Sequence, residues 1–151
     1  MTRKEHWEKL SDANWNRMAE DWLTDNIQKP IDLLNDDYQS SKISLIVSEM
    51  TFDASAEKQW HFILLTTAMA ETDWQLGQIG AGLLEHILGW QKKWDGKDYI
   101  ELIEQEAKTN GKLNRALLTV YKYMMTDEVW ARVLNLKEQI KSGHLPLYEV
   151  K

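Results

Sequence analysis

"QIGAGLLEH", Gln78–His86, is the stretch on which the reading of this chain turns. It places Gly80, Ala81 and Gly82 inside what otherwise reads as a helix. A phosphate-binding loop would make the chain a nucleotide enzyme. A contact between helix backbones would make it a helical packing domain. The order Gly77-x-x-Gly80-x-Gly82 reverses the G-x-G-x-x-G of a dinucleotide site. No strand pattern precedes it and no Gly-Lys-Ser/Thr follows, so a phosphate cradle is not expected. Each glycine inside a helix costs about 1 kcal/mol relative to alanine. The expected offset is a close approach of another helix at 80–82, or a kink there.

Outward from this point the apolar spacing is helical throughout. Leu76, Ile79, Leu83, Ile87 and Trp90 keep step along one helix from about Asp73 to Trp90. Upstream, Ser11 or Asp12 can cap a helix carrying Trp15, Met18, Ala19, Trp22 and Leu23, with Trp7 in a short preceding turn. Lys29-Pro30 marks a break, and Ile31, Leu34 and Tyr38 suggest a short helix. Ile43, Ile46, Val47 and Met50 form one helical face, although "ISLIV" is β-branched enough to pass for a strand. Asp53 is the expected cap of the next helix, with Trp60, Ile63, Leu64, Thr67 and Ala68 inward. "WDGKD" (94–98) is a turn, and Asp98 can cap a helix using Tyr99, Ile100, Ile103 and Ala107. After "TNGK" comes a helix with Leu113, Leu117, Val120 and Met124 on one side. Thr126 then caps a last helix with Val129, Val133, Leu136 and Ile140 inside and Gly143 as its stop. "HLPLYEVK" follows as a docked or frayed tail. The expectation is one all-α domain, 1–151, of about seven antiparallel helices stacked as hairpins, loosely like a short helical-repeat array.

Composition narrows the function classes. The chain has 151 residues, long enough to bury a core without staples, and no cysteine. That excludes disulfides, thiolate metal sites and cysteine catalysis. "MTRKEHWEKL" is not a secretory signal and "FILL" is too short to span a bilayer, so a cytoplasmic location is expected. Net charge is −6, with 12 acidic and 7 basic side chains in residues 1–60 against 12 and 11 in the remainder. That balance disfavours a nucleic-acid backbone and suits a basic partner.

"IGAGLLEHIL" (79–88), "YIELIEQEAKTNGKLNRAL" (99–117) and "MTDEVWARV" (125–133) together resemble an uncharacterised family of small bacterial helical proteins. That family has a Gly-Ala-Gly-Pro-Leu-Glu segment, an Asp-Pro-containing stretch ending in Ala-Leu, and a closing Asp-Glu-Val-Trp-x-Arg-Val. Here Leu83 stands for the proline and "KTNGKLNRAL" lacks the Asp-Pro. The resemblance implies an all-helical domain and marks Gly80, Gly82, Glu85, Arg115, Asp127, Trp130 and Arg132. The carboxylates and guanidinia of that set could form one buried network of Glu85, Arg115, Asp127 and Arg132.

No catalytic or metal constellation stands out. His6, His61, His86 and His144 form no H-x-x-x-H, and Glu101-x-x-Glu104 reads as a solvated face. No cofactor or metal is expected. Trp7, Trp15 and Trp22, seven or eight residues apart, read as core. Trp90 and Trp94 beside a turn, with acidic Asp36 and Asp37, are candidate partner contacts. The expected function is a non-enzymatic protein-binding module of the immunity type, occluding a toxin, in the concrete case a basic nuclease domain. The alternatives are a small enzyme with a site around Glu85 and His86, and a homo-oligomeric scaffold.

Overall fold

The structure, a computed structural model, describes residues 2–25, 42–90 and 98–151. The described residues are helical with no strand: α1 (Arg3–Glu8), α2 (Asp12–Asp25), α3 (Lys42–Asp53), α4 (Ala56–Met69), α5 (Asp73–Gln78), a π-helical turn (Ile79–Leu84), α6 (Glu85–Trp90), α7 (Tyr99–Ala107), α8 (Gly111–Leu117) and α9 (Asp127–Lys141). Gln78, Ile79 and Glu85 all keep right-handed helical backbone angles, so α5, the π turn and α6 are one continuous rod. Counted with that rod as one, the described residues form eight helices.

Local chemistry sets most boundaries. Thr2 and Thr72 each close a capping box, with Glu5 and Gln75 returning the bond. Ser11, Asn110 and Thr126 accept from the amides of Asn14, Leu113 and Val129. Gly143, at φ +82, ends α9. The His144 amide donates to Gln139 O and the Gly143 amide to Ile140 O, the two bonds of a Schellman stop. "ISLIV" lies in α3 despite its β-branching; Val47 is buried there, while Ile46, expected on the same inner face, is exposed.

Three expectations need correction. Ser55, not Asp53, caps α4, because Asp53 still belongs to α3 and the Ser55 hydroxyl accepts from the Lys58 amide at 3.3 Å. The buried face of α4 is Ala56, Gln59, Phe62, Ile63, Thr66 and Thr67, while Ala68 is exposed and Trp60 and Leu64 are only half-buried. Two threonines can face the core because each hydroxyl returns its hydrogen to a carbonyl one turn back, Thr66 to Phe62 O and Thr67 to Ile63 O. Finally, α8 stops at Leu117 rather than running to Met124. The Thr119 hydroxyl donates to Ala116 O at 2.7 Å, and Val120 N turns to Leu117 O, three residues back. Met124, expected inward, is exposed at φ +58.

The core is contiguous. Trp7, Trp15 and Trp22 are all buried, and Trp15 and Trp22 each pack 6.0 Å from the Phe62 ring. The closest helix packing joins α2 to α4 and α5 to α8, pairs that are not neighbours in the chain. Among the described residues, no helix is long and apolar enough to cross a membrane.

Candidate functional site

The glycine-bearing rod has two unlike sides. A Cβ at Gly80 would overlap Thr119 Oγ1 and the carbonyl oxygen of Ala116, so the backbone of α8 lies against the rod there. A Cβ at Gly89 would sit 2.5 Å from Tyr123 O and 3.1 Å from Met124 Cβ. Between these points Glu85 Oε1 accepts the Tyr121 amide at 2.7 Å. The segment 118–126 is therefore a strap laid along one side of the rod. Glu85 receives an amide hydrogen that a longer α8 would have kept for itself. Gly82 is the correction: nothing would meet a Cβ there within 4 Å, and both it and Ala81 are exposed. Close approach occurs at 80 alone of the three, and at 89, which the sequence reading did not mark.

A second clip holds the strap from the α9 side. Lys137 Nζ donates to Val120 O. The same ammonium lies 5.3 Å from the Tyr121 ring centre and 5.4 Å from that of Trp130, within cation–π range of both. Burial pushes the Glu85 carboxyl above its ordinary range, with the Tyr121 amide and Lys137 pulling it back. Burial pushes the Lys137 ammonium down, with Lys141 adding to it and Glu85 opposing it.

The remaining marked residues do not form one network. Each ion makes its own local pair. Arg115 binds Asp73 with two nitrogens and donates to Tyr148 O at 3.0 Å. Its hydrogen bond holds Asp73 below the ordinary carboxylate range. Asp127 pairs with Lys122 at the surface. Arg132 binds Glu104, with Nη1 3.4 Å from Asp98 and Nη2 4.0 Å from Glu101. Of the Glu101-x-x-Glu104 pair, Glu101 lies exposed as the solvated face expected, while Glu104 is half-buried against Arg132. Asp98 turns to Arg132 and leaves α7 without a side-chain cap. Separation explains the outcome: the four expected members sit on the rod, α8 and two turns of α9, where Arg115, Asp127 and Arg132 each meet another charge and Glu85 meets the Tyr121 amide.

Glu85 and His86 also diverge. His86 Nε2 lies 2.6 Å from Thr51 O and its ring meets Phe52 edge-on at 5.3 Å, toward α3. Burial lowers its ionisation from the ordinary range. Among the described residues no group of His, Asp or Glu is arranged to hold a metal ion. Trp94, Asp36 and Asp37 lie outside the described residues, as does the side chain of Trp90. The surface that sequence reading missed is on the strap: Tyr121, Tyr123 and Met124 are 71%, 55% and 53% exposed, with Leu134 of α9 at 46%. The signal for it was present, since "VYKYMM" sets two tyrosines and a methionine around a lysine, but it read as the end of a helix.

The match of a sequence family to residues 33–140 decides the relationship. The chain belongs to DUF6869, a family of unknown function. No curated protein and no solved structure matches it. The rod, the strap and nearly all of α9 fall within the DUF6869 span, together with Gly80, Gly82, Glu85, Arg115, Asp127, Trp130 and Arg132. Helices α1 and α2 and the tail after α9 fall outside it.

Proposed function

We propose that this DUF6869 chain is a non-enzymatic protein-binding module whose contact surface centres on the strap. The observation that carries the reading is the exposed Tyr121, Tyr123 and Met124 on a backbone fixed at three points, by Gly89, Glu85 and Lys137. Tyrosine and methionine are enriched at interface cores. A segment already held in place loses little conformational freedom on binding. Leu134 on α9, at helical spacing from Trp130 and Lys137, is also exposed. The titratable residues of the marked set, by contrast, are occupied in separate structural pairs.

In its concrete form the module is a bacterial, cytoplasmic immunity protein that blocks a toxin by stoichiometric occlusion. The net charge of −6, with its excess in residues 1–60, supports a basic toxin domain as the partner through charge steering. The test is titration calorimetry of the purified chain against the product of the adjacent gene. A one-to-one complex is expected, with Tyr121→Ala/Tyr123→Ala weakening it roughly a hundredfold, the scale of two aromatic anchors. No heat with that product, or full affinity in the double variant, rejects the surface. Light scattering separates this reading from a homo-oligomeric scaffold, which would show a multiple of the 17.7 kDa chain mass without any partner.

A further inference from the structure

The tail after α9 is held in an unusual way. Its hydrogen bonds with α8 are made through main-chain atoms of the tail, and the Glu149 carboxylate adds an electrostatic attraction to Arg115. Asn114 Nδ2 donates to Pro146 O at 2.7 Å, Arg115 Nη1 donates to Tyr148 O at 3.0 Å, and the Tyr148 amide donates to Gly111 O at 3.1 Å. Gly111 leaves room for this: a Cβ there would meet Tyr148 N at 2.9 Å and Leu147 C at 3.2 Å. Proline at 146 brings no amide hydrogen that would need a partner. Leu145 and Tyr148 pack on the core while Leu147 points out, and Lys112 Nζ lies 5.0 Å over the Tyr148 ring. When a protein reads a bound peptide, main-chain bonds hold the segment and inward side chains, here Leu145 and Tyr148 three residues apart, select it.

The polar groups of the seat all lie on α8. Asn114 is fully buried, and its other amide hydrogen goes to Ala107 O at 2.8 Å. Its oxygen has no partner among the described residues, so the two donors alone orient the amide. Arg115 is fixed from its far side by Asp73. If the tail left, two oriented donors and one carbonyl would remain, each seeking a main-chain partner. Gly111, Asn114 and Arg115 lie inside the DUF6869 span, and the tail lies beyond it.

We propose that Gly111, Asn114 and Arg115 form a peptide-binding seat, filled in cis by residues 144–148, that opens when the tail is released and then takes the tail of a second copy of this chain. The occupant follows from the fit: Leu145-Pro146-Leu147-Tyr148 is the segment whose register the seat matches. Gly143, in the left-handed region, is where the chain turns from α9 into the tail. The inference does not depend on the strap being a partner surface.

The test begins with the unchanged chain, isotopically labelled, titrated with an unlabelled peptide of residues 144–151. A tethered tail competes at an effective concentration on the order of millimolar, so millimolar peptide is needed. The amide resonances of the labelled residues 145 and 147–149 are expected to move together toward free-chain positions as the peptide displaces them, while those of Gly111, Asn114 and Arg115, which keep the same contacts, stay nearly in place. In the full chain carrying Leu145→Ala/Tyr148→Ala, checked for helix content by circular dichroism, the peptide is expected to bind at least roughly tenfold more tightly. Arg115→Gln in that background is expected to remove roughly tenfold or more of that affinity, the scale of one charge-assisted hydrogen bond. Hydrogen exchange on the unchanged chain gives an independent reading. The Tyr148 amide must exchange orders of magnitude faster than those of Val133 and Leu136 in α9. Equal protection at all three sites, or no shift at millimolar peptide, overturns the proposal even if the double variant does not fold.

Discussion

Gly80 and Gly82 are two residues apart on one rod and lie in opposite circumstances. Gly80 is buried against the Ala116 carbonyl and the Thr119 hydroxyl, whereas Gly82 faces open space. The difference teaches that a glycine run in a helix does not imply a glycine contact along its whole length. One residue creates the close approach, and the residue two further on, across the same turn of the rod, faces away. The true partner of Gly80 is Gly89, which holds the far end of the same strap.

Four measurements test that contrast. Gly80→Ala should have the largest effect, because the new methyl meets backbone that cannot move aside; a loss of about 2–3 kcal/mol in urea unfolding is expected. Gly89→Ala should cost about 1–2 kcal/mol by the same assay, since part of its crowding is the Met124 side chain, which can shift. It should also raise proteolytic cutting within 118–126. Gly82→Ala should instead raise stability by roughly 0.5–1 kcal/mol, the helix-propensity gain with no steric cost. A loss at 82 equal to that at 80 would remove the distinction between the two sides of the rod.

The smallest effects are in the pH dependence, where two carboxylates have opposite signs. Glu85 is raised by burial, so its favourable contribution is complete below about pH 4.3, the ordinary glutamate value. It is lost as pH rises through the higher folded value. Glu85→Gln keeps an acceptor for the Tyr121 amide and should flatten that descent. Asp73 is lowered by Arg115, so its contribution is present above about pH 3.9, the ordinary aspartate value, and is lost as pH falls through the folded value beneath it. Arg115→Gln should remove this acid-side loss. Unfolding midpoints across pH 2–7 read both slopes, and equal slopes in the variants and the unchanged chain would mean neither pairing forms in solution.

Much of the fold was legible because it is written in short-range pattern. Val129, Val133, Leu136 and Ile140 announce α9, Thr126 announces its start and Gly143 its end, and all of these hold. Tyr99, Ile100, Ile103 and Ala107 hold likewise. The candidate site was legible only as a set of residues. That Glu85 would meet a backbone amide, and Arg132 the carboxylates of α7, depended on which charge lay nearest once the helices had docked. On α4 the reading held at Ile63 and Thr67 and missed Gln59 and Thr66, polar residues that behave as core because Gln59 donates to Ala54 O and Thr66 to Phe62 O.

By itself the sequence determined an all-helical chain, the caps at Ser11 and Thr126, its tryptophan core and the presence of a crowded glycine near residue 80. Those depend on periodicity and on contacts within a few residues, which every segment carries locally. Only the tertiary structure decided that α8 ends at Leu117, that a strap crosses the rod between Gly80 and Gly89, and that the tail lies over Gly111, Asn114 and Arg115. Each of those outcomes rests on bonds between groups more than thirty residues apart in the chain, such as Glu85 with Tyr121 and Arg115 with Tyr148. Such bonds exist only after the helices have packed, and no local pattern encodes them.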